Sequence, residues 1–190
     1  MAQGRLVDGL LVVRTRVEDW RIAYLSKVGL PFVAFGRSDL DVDFPFVDED
    51  GVRGLELVTQ HLAEQGHRDL AFISAPQSLM FCDLRFAGLQ AALKLHGLSL
   101  QPEHIIISDL TQRGGFGAMN HWLDMSSPPT AVIACNDLMA LGAISAAQRR
   151  GLVVGRDLAI TGFDDIPLAE HSHPSLTTMR QPIYEIGCRI

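Results

Sequence analysis

A chain of 190 residues with 47% hydrophobic and 20% charged residues has ordinary globular composition, long enough to bury a core in one domain or two small lobes. The formal net charge of −6 argues against this chain gripping a phosphate backbone unaided, since that needs clustered lysine and arginine. Cys82, Cys135 and Cys188 form no CxxC pair and suggest no disulfide framework, which points to a reducing compartment.

The opening stretch, MAQGRLVDGLLVVRTR, has an apolar run too short and too soon broken by charge for a signal peptide. No segment approaches the roughly 18 apolar residues of a membrane span. The expected location is the cytoplasm. Beyond that stretch, apolar runs rich in Val, Ile and Phe alternate with amphipathic segments of helical length, the pattern of βαβ units and a parallel sheet. In chain order the reading predicts a strand at 8–13, a helix at 18–28, a strand at 32–35 and a helix at 52–65. Next come a strand at 69–74, a helix at 84–95, a strand at 104–108 and a helix at 115–123. A strand at 131–135, a helix at 138–150 and a strand at 158–163 follow. Gly66, Gly97 and Gly151 each stand just past a helix, where a left-handed residue is wanted.

Two of these strands end directly in polar pairs, Asn136-Asp137 and Asp164-Asp165. In an open parallel sheet, ligands bind outside the carboxyl ends of the strands, so these pairs stand where a small polar ligand would be gripped. Arg85 opens the predicted helix RFAGLQAAL. Its guanidinium forks toward vicinal hydroxyls or a carboxylate. A solvated first-turn arginine is the bland alternative, weakened because cations are disfavoured at a helix N-terminus. Asn136 and Asp137 suit helix capping, and a cap and a ligand contact are compatible. Adjacent side chains on an extended chain point opposite ways, so Asp164 and Asp165 are poorly placed to serve as one acid–base pair.

Three patterns point elsewhere and are set aside. GFGAMN (115–120) with Asp137 resembles a dinucleotide fingerprint, but it lacks the third small residue and the tight strand–helix turn. His171 and His173 have unsuitable spacing for a metal pair, and no third ligand follows. Ser74, Ser108 and Ser126 lie in no GxSxG elbow. No cofactor, metal or catalytic residue is expected.

Read in order, VDGLLV (7–12), GLPFVAFGR (29–37), HLAEQGHRDLAFIS (61–74), RFAGLQAAL (85–93), AVIACNDLMALGA (131–143), DLAITGFDD (157–165) and PSLTTMRQP (174–182) form one recognisable series. The series resembles the effector-binding domain of the LacI/GalR family of bacterial transcription regulators, over nearly the whole chain. The resemblance implies a type I periplasmic binding protein-like α/β fold of two doubly wound parallel-sheet lobes. The first lobe, 1–50 with 181–190, would be incomplete, and 51–180 would be the second. It implies a fragment, lacking a helix-turn-helix headpiece, the first strand–helix units and a closing strand. It also implies that a small-molecule effector, of carbohydrate class by family habit, is held in the cleft between lobes by Arg85, Asn136 and Asp164. Phe81, Leu110 and Ile183 would pack against it, with core packing an equal alternative, and Arg37 would reach it from the first lobe. Leu110 stands where relatives often place an aromatic ring. Asp137 would be mainly structural, and Asp165 would cap the short helix after it.

The implied activity is sensing without catalysis. The partners would be the effector, a second copy in a homodimer, and operator DNA through the headpiece. No membrane is involved. A periplasmic sugar receptor of a transport system is the alternative. Substituting Arg85 or Asp164 is expected to remove effector binding and leave the fold intact.

Overall fold

The computed structural model describes residues 7–190; residues 1–6, the start of the stretch read for an export signal, lie outside the described residues. The alternation of apolar and amphipathic segments becomes β1 (Leu10–Val12), α1 (Trp20–Val28), β2 (Phe32–Phe35), β3 (Phe46–Val47) and α2 (Gly51–Glu64). Then follow β4 (Leu70–Ser74), α3 (Met80–Leu95), β5 (Ile105–Ile107), α4 (Gln112–Leu123), β6 (Ala131–Ala134) and α5 (Asp137–Arg149). The chain finishes with β7 (Ala159–Asp164), α6 (Pro167–His171), β8 (Thr177–Arg180) and α7 (Ile183–Arg189). Two compact units result: one holds the chain up to Asp50 with Gln77–Leu84 and Pro182–Ile190, the other Gly51–Pro76 with Arg85–Gln181. The excursion Gln77–Leu84 leaves no mark in the chain-order reading.

The first unit is built on a parallel sheet in the order β1-β2-β3. Val12, Ile22, Leu25 and Ala34 form its core, with Phe32 and Phe44 stacked at 6.2 Å beside them. Helix α1 starts where the buried Asp19 accepts from the Arg21 amide at 3.0 Å, satisfying an amide the helix leaves open.

The second unit has five parallel strands in the order β5-β4-β6-β7-β8. Every residue of β4 and β6 is buried, the signature of a parallel sheet covered on both faces. Among the described residues no helix is long and apolar enough to cross a membrane.

Differences from the sequence reading fall at edges. Edge strand β3 is only two residues long, and the Thr-rich edge strand β8 mixes exposed and half-buried residues, so no apolar run announces either. Helix α3 begins at Met80 rather than at residue 84, which puts Arg85 in its second turn, not its first. Gly66, Gly97 and Gly151 do take positive φ, at 90°, 64° and 79°.

Of the fingerprint-like glycines, Gly115 has a packing role instead, shared with Gly142 of α5. A Cβ on Gly115 would meet the Met139 carbonyl oxygen at 2.0 Å, and one on Gly142 the Gln112 carbonyl oxygen at 2.0 Å. Helices α4 and α5 therefore cross backbone to backbone, and neither atom can move aside. Gly142→Ala is predicted to lower stability by about 2 kcal/mol, because overpacking of this kind outweighs the ~1 kcal/mol that alanine gains in helix propensity. A urea midpoint equal to that of the parent would contradict the crossing.

Candidate functional site

The carboxyl edge of the second sheet gathers the polar residues. Strand β7 ends at Asp164, whose side chain is 29% exposed and whose backbone takes a φ of 123°. Arg85, only 3% exposed, reaches this edge from α3. Its Nη1 donates to the Cys135 carbonyl at 2.5 Å, and its Nη2 to Asp164 Oδ1 at 3.4 Å. The guanidinium carbon lies 3.6 Å from the centroid of the Phe163 ring. A guanidinium is weakly hydrated and stacks on aromatic faces, so it tolerates this burial better than an ammonium. Gln181 Nε2 also donates to Asp164 Oδ1. The carboxylate is thus fixed from two sides.

Asn136 is the N-cap of α5. Its Oδ1 accepts from the Met139 amide at 3.0 Å, while its Nδ2 donates to the Leu110 carbonyl at 3.2 Å. Leu110 is half-buried, with a φ of 66°. One amide therefore ties the start of α5 to the loop after β5, and both its ends are committed to protein groups. Asp137 is fully buried, accepting from Thr178 Oγ1 at 2.5 Å and from the Ile166 amide at 2.8 Å. Burial raises its pKa above the ordinary 3.8, against the opposing pull of these hydrogen bonds. Asp165 does not cap the helix after it: Ile166 holds that position without a side-chain bond, and Asp165 instead pairs with Arg180. Pro167 in the first turn needs no amide partner, which removes part of the demand for a cap.

Arg85, Asn136, Asp164 and Leu110 all belong to the second unit, and hydrogen bonds link them in two pairs. Arg37, Phe81 and Ile183 belong to the first. There Arg37 Nε donates to Asp48 at 2.8 Å, with its guanidinium 6.0 Å from the Phe46 ring. Phe81 is half-buried in the first turn of α3, and Ile183, 53% exposed, begins α7. Gln181 escaped the sequence reading although it stands in the quoted PSLTTMRQP segment. Its place directly after an unforeseen strand, β8, is the signal that was missing. Among the described residues no group of His, Cys, Asp and Glu could hold a metal ion.

All four non-glycine residues with positive φ among those described, Arg14, Leu110, Asp164 and Asp165, stand at or just past the carboxyl ends of β1, β5 and β7. Backbone of this kind costs on the order of 1–3 kcal/mol per residue and clusters where ligands are clamped. Chemically, the edge offers a fixed half-exposed carboxylate and a rigid backbone around it.

The burial of Arg85 revises the expectation that its loss leaves the fold intact. Arg85→Ala is predicted to cost about 3 kcal/mol, for a lost charge partner and a new cavity together. Asp164→Asn keeps the side chain's shape but removes a counter-charge of buried Arg85, and should cost less, on the order of 1–2 kcal/mol. Urea unfolding of both variants measures this, and equal stabilities would disprove the bracing role. Asp137 carries a pH signature. Because its folded pKa is raised, the native state holds its proton longer than the unfolded chain does. Its contribution to stability is therefore full below 3.8 and declines as pH rises toward the raised value. Asp137→Asn should flatten stability across that window; an unchanged pH slope would show that Asp137 does not titrate there.

Comparison with known proteins places this architecture. Residues 59–190 match the model of the periplasmic binding protein-like domain. The chain is 36% identical to the HTH-type transcriptional repressor CytR of Escherichia coli (strain K12) over 181 residues, 95% of this chain and 53% of that protein. It spans about half the length of the curated relatives it matches. A regulatory protein of the LacI family from Chloroflexus aggregans superposes with a TM-score of 0.90 at 39% identity, covering 96% of this chain and 66% of the other. The transcriptional regulator CelR in its cellobiose complex does so with a TM-score of 0.90 at 34% identity, covering 98% and 57%. The chain belongs to the periplasmic binding protein-like family, in the form carried by LacI-type transcriptional regulators.

Proposed function

We propose that this chain is the effector-sensing part of a DNA-binding transcriptional regulator, holding a small molecule of carbohydrate class and passing its occupancy on to operator binding. The observation that carries this reading is Asp164: a half-exposed carboxylate at the carboxyl end of β7, fixed by Arg85 and Gln181. A carboxylate held in one direction is a good acceptor for the hydroxyls of a sugar. The cellobiose complex of the similar regulator CelR supports the ligand class. CytR and the Chloroflexus protein are regulators, which favours this reading over a periplasmic transport receptor.

In this reading Asp164 contacts the effector, while Arg85 and Asn136 act largely by holding the edge in shape. Leu110, in the same unit, is a further contact. The ligand is held unchanged. Regulation follows if the effector binds one arrangement of the protein better than another, and that difference bounds its size. A second copy and operator DNA are the partners, with the basic surface for DNA supplied from outside this acidic chain.

The test is calorimetry of the chain and of Asp164→Asn against a panel of monosaccharides and disaccharides. A sugar bound by the parent should bind the variant at least about tenfold more weakly, the worth of a charge-assisted contact at roughly 1.5–3 kcal/mol. Undiminished affinity in the variant would overturn the assignment.

A further inference from the structure

The opposite edge of the same sheet holds a second cavity. It has a volume of about 540 Å³ and lies at the amino ends of β7 and β8, lined by residues of the second unit alone. Its floor includes the buried Leu62 and Leu158, and its rim includes His61, Gln65, His67 and Arg156. In a chain of net charge −6, no lining residue is an aspartate or glutamate.

The rim groups come from three places. His61 is in the last turn of α2, His67 follows that helix, and Arg156 is in the turn before β7. The Nδ1 of His67 lies 3.2 Å from Thr130 Oγ1, which orients the ring. The charged groups around His67 are His61, Arg68, whose guanidinium donates to the His67 carbonyl at 2.9 Å, and Arg156. Arg156 is paired with Asp157 at 2.8 Å, and Glu64 is engaged by Gln60 at 2.7 Å. Neither Asp157 nor Glu64 lines the cavity.

We propose that this cavity is a second binding site, for a small dianionic oxyanion such as a sulfate or phosphoryl group, held between His61 and His67 with Gln65 and Arg156 as further donors. The site is separate from the effector site at the carboxyl edge and does not depend on it. Imidazolium and amide N–H groups are suited to oxyanion lone pairs, and the apolar floor keeps water from competing from below. Proton linkage follows. Burial first, and His61 second, lower the His67 pKa below the ordinary 6.5 in the free protein. A bound dianion supplies the missing counter-charge, so binding takes up a proton and tightens as pH falls.

Sulfate is the right probe, because its charge does not change near neutrality. Calorimetric titration of the chain with sulfate at constant ionic strength, at about pH 5.5 and about pH 7.5, brackets the imidazole range. The expected result is saturable binding, about tenfold tighter at the lower pH. His61→Gln should weaken it about tenfold, and His61→Gln/His67→Gln should abolish it. His61 is exposed, so its replacement should leave the fold intact and that variant stands even if the double one unfolds. Asp164→Asn should bind sulfate as the parent does, which separates this site from the effector site. Absence of saturable binding, or equal binding by the parent and His61→Gln, would overturn the proposal.

Discussion

A single buried cation organises the carboxyl edge of the second sheet. Arg85 is 3% exposed, and a charge so placed is tolerated only when neighbouring groups replace the water it has lost. Three do so: the Cys135 carbonyl dipole, the face of the Phe163 ring and the Asp164 carboxylate. Each comes from the end of β6 or β7. The guanidinium is rigid and planar, so engaging these groups ties the strand ends together beyond the ladder between them. What the edge can present to a ligand depends on that clamp.

Strain is distributed accordingly. The left-handed residues at the carboxyl edges are leucine, aspartate and arginine, for which that backbone is costly. Gly66, Gly97 and Gly151, by contrast, sit past helix ends ahead of the next strand, where glycine adopts the same conformation freely. Glycine takes this backbone past helix ends and also at Gly36 just after β2, whereas costlier residues hold it after β1, β5 and β7. Asp164 keeps its φ of 123° because Arg85 and Gln181 hold its side chain, while Asp137 holds Ile166 just beyond it.

Much of this was legible in the residues. The apolar runs of β4 and β6 announced buried parallel strands because both their faces are covered, and the polar residues closing β6 and β7 do gather at one carboxyl edge. What stayed hidden was hidden for physical reasons. Strand β8 has the polar, half-exposed residues of an edge, so no periodicity marks it, and Gln181 went unnoticed with it. The start of α3 was misplaced because Met80 to Asp83 carry no cap signal, and that error made a buried brace look like a first-turn arginine. Asp165 satisfied the composition rule for a cap, but the chain after it opens with Ile166-Pro167, and its carboxylate found Arg180. Capping rules see one element at a time, whereas Arg180 arrives from another strand.

The same separation explains why a ligand role and a structural role are hard to tell apart from residue type. Asn136 has the composition of a ligand contact and also ties Met139 to Leu110, with one donor and one acceptor of its amide. Arg85 has the chemistry to grip a sugar, yet its guanidinium is enclosed by its own fold. Asp164 differs from both in one respect: it is held in place while remaining 29% exposed. A group that binds must be fixed, so that ordering it costs little when the ligand arrives, and must still be reachable by that ligand. Of Arg85, Asn136 and Asp164, the carboxylate comes nearest to meeting both conditions. Arg85 and Asn136 meet only the first, and Arg85 helps Asp164 to meet it.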